Sequence, residues 1–311
     1  MEINLVGHVL TGLCFLAIGL WHLFNHIKLH AFHPESYTAQ PWFPTSKSRY
    51  LELFFSMGIP SLTIMKELII PSSTQPLLDP HDGTIPFQSL VIFEHFSFFF
   101  AYFVYGAFAI LLDLSRSKAR YGLTLFLNAL AYLQGLFLVH FHSIDHKGPL
   151  GQYHLLLQLL ILVVIATFIL GISLSKSFLV SFVRSLTIVF IGVWFIFMGV
   201  MLWTPALVPK GCFWRKGKTG QEVKCSGEEA IQRATSLVNL QFSWFTIGIT
   251  ILGIALYLAL VKVYGKKVHG YLSVVKEEEM NEGSDNDNID VTLGIDDSAL
   301  KQRWFCAITT L

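Results

Sequence analysis

Between His140 and His154 the chain reads HFHSIDHKGPLGQYH, four histidines and an aspartate set between two long apolar runs. Imidazole suits zinc, iron or copper, and beside a carboxylate it exchanges protons near neutral pH. His142 and His146 are four residues apart, so they share a helix face if the helix runs on to Lys147 before Gly148 and Pro149 end it. Glu94 or Asp145 could then be a third ligand, or the carboxylate that fixes the tautomer of a ligating ring. The same groups suit two other roles: a hydrogen-bonded network that stitches helices together in lipid, or a proton relay. No zincin-type HExxH is present, and the residues leave all three readings open.

Such groups need helices to hold them. The 311 residues are 53% hydrophobic and only 14% charged, the balance of a membrane protein rather than a soluble domain. With a net charge of +1 and no basic block with interleaved aromatics, the chain offers nothing to nucleic acid. Its partner by composition is the lipid bilayer. A helix needs roughly 20 residues to cross about 30 Å of hydrocarbon. Seven runs reach that length, about 5–24, 51–70, 90–112, 121–139, 155–174, 178–203 and 240–263. The first has no positive n-region and reads as a retained anchor. The second holds Glu52, Pro60, Lys66 and Glu67, so its neighbours must shield it. No strand-period alternation competes. The predicted fold is therefore all-α, a polytopic membrane helix bundle of seven transmembrane helices over residues 1–268. A disordered acidic tail follows over 269–311.

Helix parity decides which ends meet. The starts of the third and fifth runs and the end of the fourth share a face, which gathers Glu94, His95, His140, His142, Asp145, His146 and His154 into one polar layer. His8, Lys66, Glu67, Asn239, Gln241 and Ser243 belong to the same level. The opposite face receives Glu52 and a second histidine group, His22, His26, His30 and His33, in WHLFNHIKLHAFH. Membrane di-iron oxygenases carry histidine boxes, but their paired HxxHH boxes are missing from this face. An interfacial amphipathic stripe is the expectation here.

Lys and Arg in short loops favour the cytosolic side. Lys28, Lys47, Arg49, Arg116, Lys118, Arg120, Lys262, Lys266 and Lys267 fall on one side, which places the N-terminus outside or luminal and the C-terminus in the cytosol. The segment 204–235 votes the other way with Lys210, Arg215, Lys216, Lys218, Lys224 and Arg233, and it contains Cys212 and Cys225. These two form either a luminal disulfide or a pair of free thiols in a cytosolic loop of opposite orientation.

Several long motifs carry a resemblance in order: WHLFNHIKLHAFHPESYTAQPWFPTSKSRYLELF, EHFSFFF, HFHSIDHKGPLGQYHLLLQLL, SFLVSFVRS, MLWTPALVPKGCFW and SLVNLQFSW. Over roughly residues 1–265 the chain resembles the plant branch of the transmembrane protein 45 family. The resemblance implies a multipass helical membrane protein of unassigned activity, linked in plants to responses to stress or viral attack. It supplies no catalytic residues. The expected role is structural, proton-relaying or transporting, in the endomembrane system or plasma membrane. The alternative is a metal-dependent membrane enzyme or redox protein holding zinc or iron and acting on a lipid-like substrate. Either is compatible with a homo-oligomer.

Overall fold

Seven helices follow one another in the computed structural model, which describes residues 5–69, 77–143, 148–217 and 220–282. They are α1 (Leu5–Phe32), α2 (Leu51–Ile69), α3 (Phe87–Leu114), α4 (Arg120–Ser143), α5 (Pro149–Ser173), α6 (Phe178–Trp203) and α7 (Glu228–Glu282). Among the described residues, six stretches are long and apolar enough to cross a membrane: α1, most of α3 and α4, α5, α6, and Glu228–Gly265 of α7. The charges of Glu52, Lys66 and Glu67 keep α2 out of that group. The fold is thus a helical bundle of membrane type, with six spans of sufficient length and one more polar helix.

Element ends differ from expectation for local reasons. Helix α1 continues through the histidine repeat to Phe32, because that repeat is packed against protein rather than released at an interface. Helix α5 begins at Pro149, where a missing N–H is harmless, after Gly148 turns the chain with a φ of 82°. Helix α7 starts with Glu228 and Glu229, carboxylates that suit the positive end of a helix. It is helical through Glu282, beyond the expected tail boundary at 269; residues 283–311 lie outside those described.

Two short strands, β1 (Cys212–Gly217) and β2 (Gly220–Cys225), add an antiparallel hairpin that the sequence does not announce. Cys212 stands opposite Cys225 and is joined to it by a disulfide. Trp214 Nε1 donates to the Leu202 carbonyl at 3.2 Å, docking the hairpin on the end of α6. Closing so short a loop constrains the unfolded chain, so replacing both cysteines by serine is expected to cost about 3 kcal/mol. Thermal unfolding of wild type and the double variant in detergent, with and without reductant, measures it.

Helices α1 and α6 run antiparallel at very close range. A Cβ on Gly12 would lie 2.7 Å from the Gly192 carbonyl oxygen, one on Gly19 would lie 2.6 Å from the Val189 nitrogen, and one on Gly199 would lie 2.7 Å from His8 Cβ. Small residues permit such backbone contact where lipid offers no hydrophobic drive between helices. On the other flank of α6, Trp194 is fully buried among Tyr153, Phe190, Phe242 and Phe245 and donates to the Tyr153 carbonyl at 3.2 Å. Asp113 ties three elements together at one end: it accepts from Arg49 Nη2 at 2.8 Å and Tyr50 at 2.9 Å, and Arg120 stands 3.8 Å away.

The bundle therefore has two ends. At the loop end, segment 33–50 lies with the α3–α4 and α5–α6 connections, since Ala39 N–H donates to the Ser175 carbonyl. The hairpin end holds the strands and the start of α5.

Candidate functional site

Glu52, in the first turn of α2, is buried and accepts three hydrogen bonds. His22 Nε2 donates to Oε1 at 2.7 Å, while Trp21 Nε1 and the Phe43 N–H donate to Oε2 at 3.0 and 2.8 Å. One turn further along α1, His26 is 0% exposed, with its ring centre 5.8 Å from that of His22. Phe43 wedges edge-on against both imidazoles. Segment 33–50 folds inward over them, burying Tyr37, Ala39, Trp42 and Phe43.

The Tyr37 hydroxyl lies 2.8 Å from His26 Nδ1. Burial pushes this phenol up to about 12, so it remains a neutral hydroxyl near pH 7, and Ser181 of α6 hydrogen-bonds to it. When the phenol donates its proton to Nδ1, that nitrogen is the acceptor of the ring. The His26 proton then sits on Nε2. That Nε2 is buried without a partner, as is Nδ1 of His30, which stacks on Phe178 at 4.1 Å.

Arg184, two turns into α6, is only 2% exposed. Its guanidinium lies over the Phe168 ring at 4.9 Å, and its Nη1 has no hydrogen-bond partner. Tyr37, Tyr105, Tyr121 and Tyr132 surround it within electrostatic range, whereas no carboxylate among the described residues pairs with it.

This arrangement corrects the expectation of an interfacial stripe. His22 and His26 face the bundle interior because α2 supplies a carboxylate and segment 33–50 covers what would otherwise meet headgroups. His30 is half-buried, and His33 follows the last turn of α1 with its N–H on the Leu29 carbonyl.

The layer at the hairpin end is more dispersed. His140 Nδ1 donates to Gln158 at 3.1 Å, and His154 Nδ1 donates to the Leu150 carbonyl of its own helix at 2.9 Å. Gln152 bonds Asn239 at 2.6 Å and Tyr153 bonds Gln241 at 2.7 Å, pinning α5 to α7. Glu94 is exposed and His95 half-buried. The side chain of His142, and Asp145 and His146 altogether, lie outside the described residues. Among the described residues no three His, Cys, Asp or Glu side chains gather as metal ligands.

Between the two polar ends α1 places Phe15, whose ring meets Tyr102, Tyr132 and Phe195 within 6.2 Å. His8, beyond it, packs on Trp203 at 4.5 Å. An aromatic layer thus separates His22 and Glu52 from the hairpin end.

Trp21 is expected at an aromatic edge of the first helix, whereas Tyr37, Phe43 and Arg184 are not prominent in the sequence pattern. For Arg184 a signal existed, a lone charge inside an apolar run. For Tyr37 and Phe43 there was none, because they sit in a polar connection whose inward fold is a tertiary event.

Residues 121–258 match the model of a family of unknown function (DUF716), a stretch that includes Arg184, Tyr121, Tyr132 and Phe168 but not the His22–Glu52 pair. The comparison with curated proteins gave no match.

Proposed function

We propose that this chain is a seven-span member of the plant branch of the transmembrane protein 45 family, and a proton-exchanging carrier rather than an enzyme. Its N-terminus is outside or luminal and its loop end faces the cytosol. The family reading is supported by the match over residues 121–258 and by the motifs in order along the chain. The orientation is supported by the basic residues of the loop end and by the disulfide of the hairpin.

One observation carries the proton reading: a carboxylate and an imidazole 2.7 Å apart, both buried, beside a second imidazole one turn away. Ionisable groups placed inside a membrane bundle mark ion or proton pathways more often than packing. The aromatic layer at Phe15 separates this cluster from the hairpin end, which suits a carrier that loads from the loop end rather than an open channel.

The test is proton flux into proteoliposomes of the full-length protein containing a trapped pH-sensitive dye, driven by an imposed pH gradient. Wild type is expected to acidify the lumen, and Glu52→Gln and His22→Gln to fall to the level of protein-free vesicles. Wild-type flux no greater than that of protein-free vesicles sinks the reading.

A further inference from the structure

We propose that Arg184 and His26 form a binding site for a small, weakly hydrated inorganic anion, with chloride as the natural occupant. This inference does not rest on the proton reading. Arg184 offers five N–H groups and no acceptor, is 2% exposed, and has Nη1 unpartnered. His26, fully buried, meets Tyr37 through Nδ1, and its Nε2 has no partner; with the phenol donating to Nδ1, Nε2–H is a second donor without an acceptor. His30 Nδ1 is a further buried nitrogen without a partner on the same face of α1.

Ser181 and Tyr37 lie beside His26, yet Arg184 Nη1 makes no hydrogen bond to either hydroxyl. Among the described residues no carboxylate pairs with Arg184, and the buried carboxylate of Glu52 already takes three donors. A buried cation without a counter-ion is strongly unfavourable, and surrounding phenols and a phenyl face offset only part of the cost. An anion held between guanidinium and imidazole would supply the missing acceptor for both.

The walls indicate which anion. Phe168 covers one face of the guanidinium at 4.9 Å. At Gly171 an added Cβ would stand 2.9 Å from Arg184 Nη1 and 3.3 Å from Leu125 Cδ1, so α5 approaches as closely as glycine allows. A site lined by Phe168, Leu125 and glycine backbone has few groups to replace a tightly held hydration shell. Halides surrender theirs more readily than phosphate or sulfate, so size and hydration both favour a halide.

Full-length protein in detergent, titrated with sodium chloride against sodium gluconate at constant ionic strength, provides the test. Line broadening of the chloride nucleus reports binding, and the thermal midpoint reports its linkage to stability. Wild type is expected to show saturable, chloride-specific broadening and a rising midpoint, with bromide competing and inorganic phosphate inert. Arg184→Gln should weaken the apparent affinity by at least about ten-fold. Should that variant not fold, Arg184→Lys, which keeps charge but loses the fork, is expected to retain weakened binding. Absence of saturable chloride binding in wild type overturns the proposal, as does binding left unchanged in both Arg184 variants. Competition by phosphate as strong as that by bromide overturns the halide assignment.

Discussion

Replacing Glu52 by alanine is expected to lower the stability of the detergent-solubilised protein by about 3–5 kcal/mol, the scale of removing a buried carboxylate on which several donors converge. Three donors lose their acceptor at once: His22 Nε2, Trp21 Nε1 and the Phe43 N–H. Each buried donor left unsatisfied costs about 1–3 kcal/mol, which exceeds the loss of the side chain's few apolar contacts. Because Phe43 anchors segment 33–50 to α2, the damage should also reach Tyr37 and Trp42. Limited proteolysis within 33–50 is expected to accelerate together with the fall in unfolding midpoint. Glu52→Gln, which keeps one acceptor oxygen, should lose less. A loss in the alanine variant below about 1 kcal/mol, the scale of an exposed ion pair, would show that water already reaches the carboxylate.

The second large effect is expected at the crossing of α1 and α6. Gly192 faces the α1 backbone, where a Cβ would stand 2.7 Å from the Gly12 carbonyl oxygen and 2.8 Å from Leu16 Cα. These are main-chain atoms, which cannot rotate away as a side chain can. Gly192→Val must push the helices apart, and a loss of at least about 3 kcal/mol is expected, toward the upper end of overpacking effects. Gly248 in α7 meets nothing within 4 Å and serves as the control. There Gly248→Ala should be neutral or stabilising by up to about 1 kcal/mol through helix propensity. Equal midpoints for Gly192→Val and wild type would refute the close crossing.

Much of the bundle was legible because apolar length is a one-dimensional property. The run 178–203 coincides with α6, and α2, α3 and α4 begin and end within a few residues of expectation. The ends that moved did so for tertiary reasons. Polar residues of WHLFNHIKLHAF look like an exit from the membrane, yet they continue α1 because Glu52 and Tyr37 receive them. The hairpin was hidden because its strands are short and without sustained hydrophobic alternation, and Cys212 and Cys225 join them across the pair. Parity placed His22, His26, His30 and Glu52 at one end of the bundle. That His22 and Glu52 would touch could not be read from spacing, since it depends on how segment 33–50 turns back. Nor does spacing show that Arg184 has no carboxylate partner among the described residues, because every candidate must first be located.

The ring layer around Phe15 also has an electrical consequence. The rings around Phe15 carry no charge and no strong dipole, so this layer is a region of low dielectric constant between the two polar ends of the bundle. Part of any transmembrane voltage falls across it. A unit charge carried between the His22–Glu52 end and the level of His8 does electrical work there, a share of the about 2.3 kcal/mol for each 100 mV that a full crossing takes. The layer at Phe15 is therefore a voltage-sensitive step for any charge that moves between the two ends.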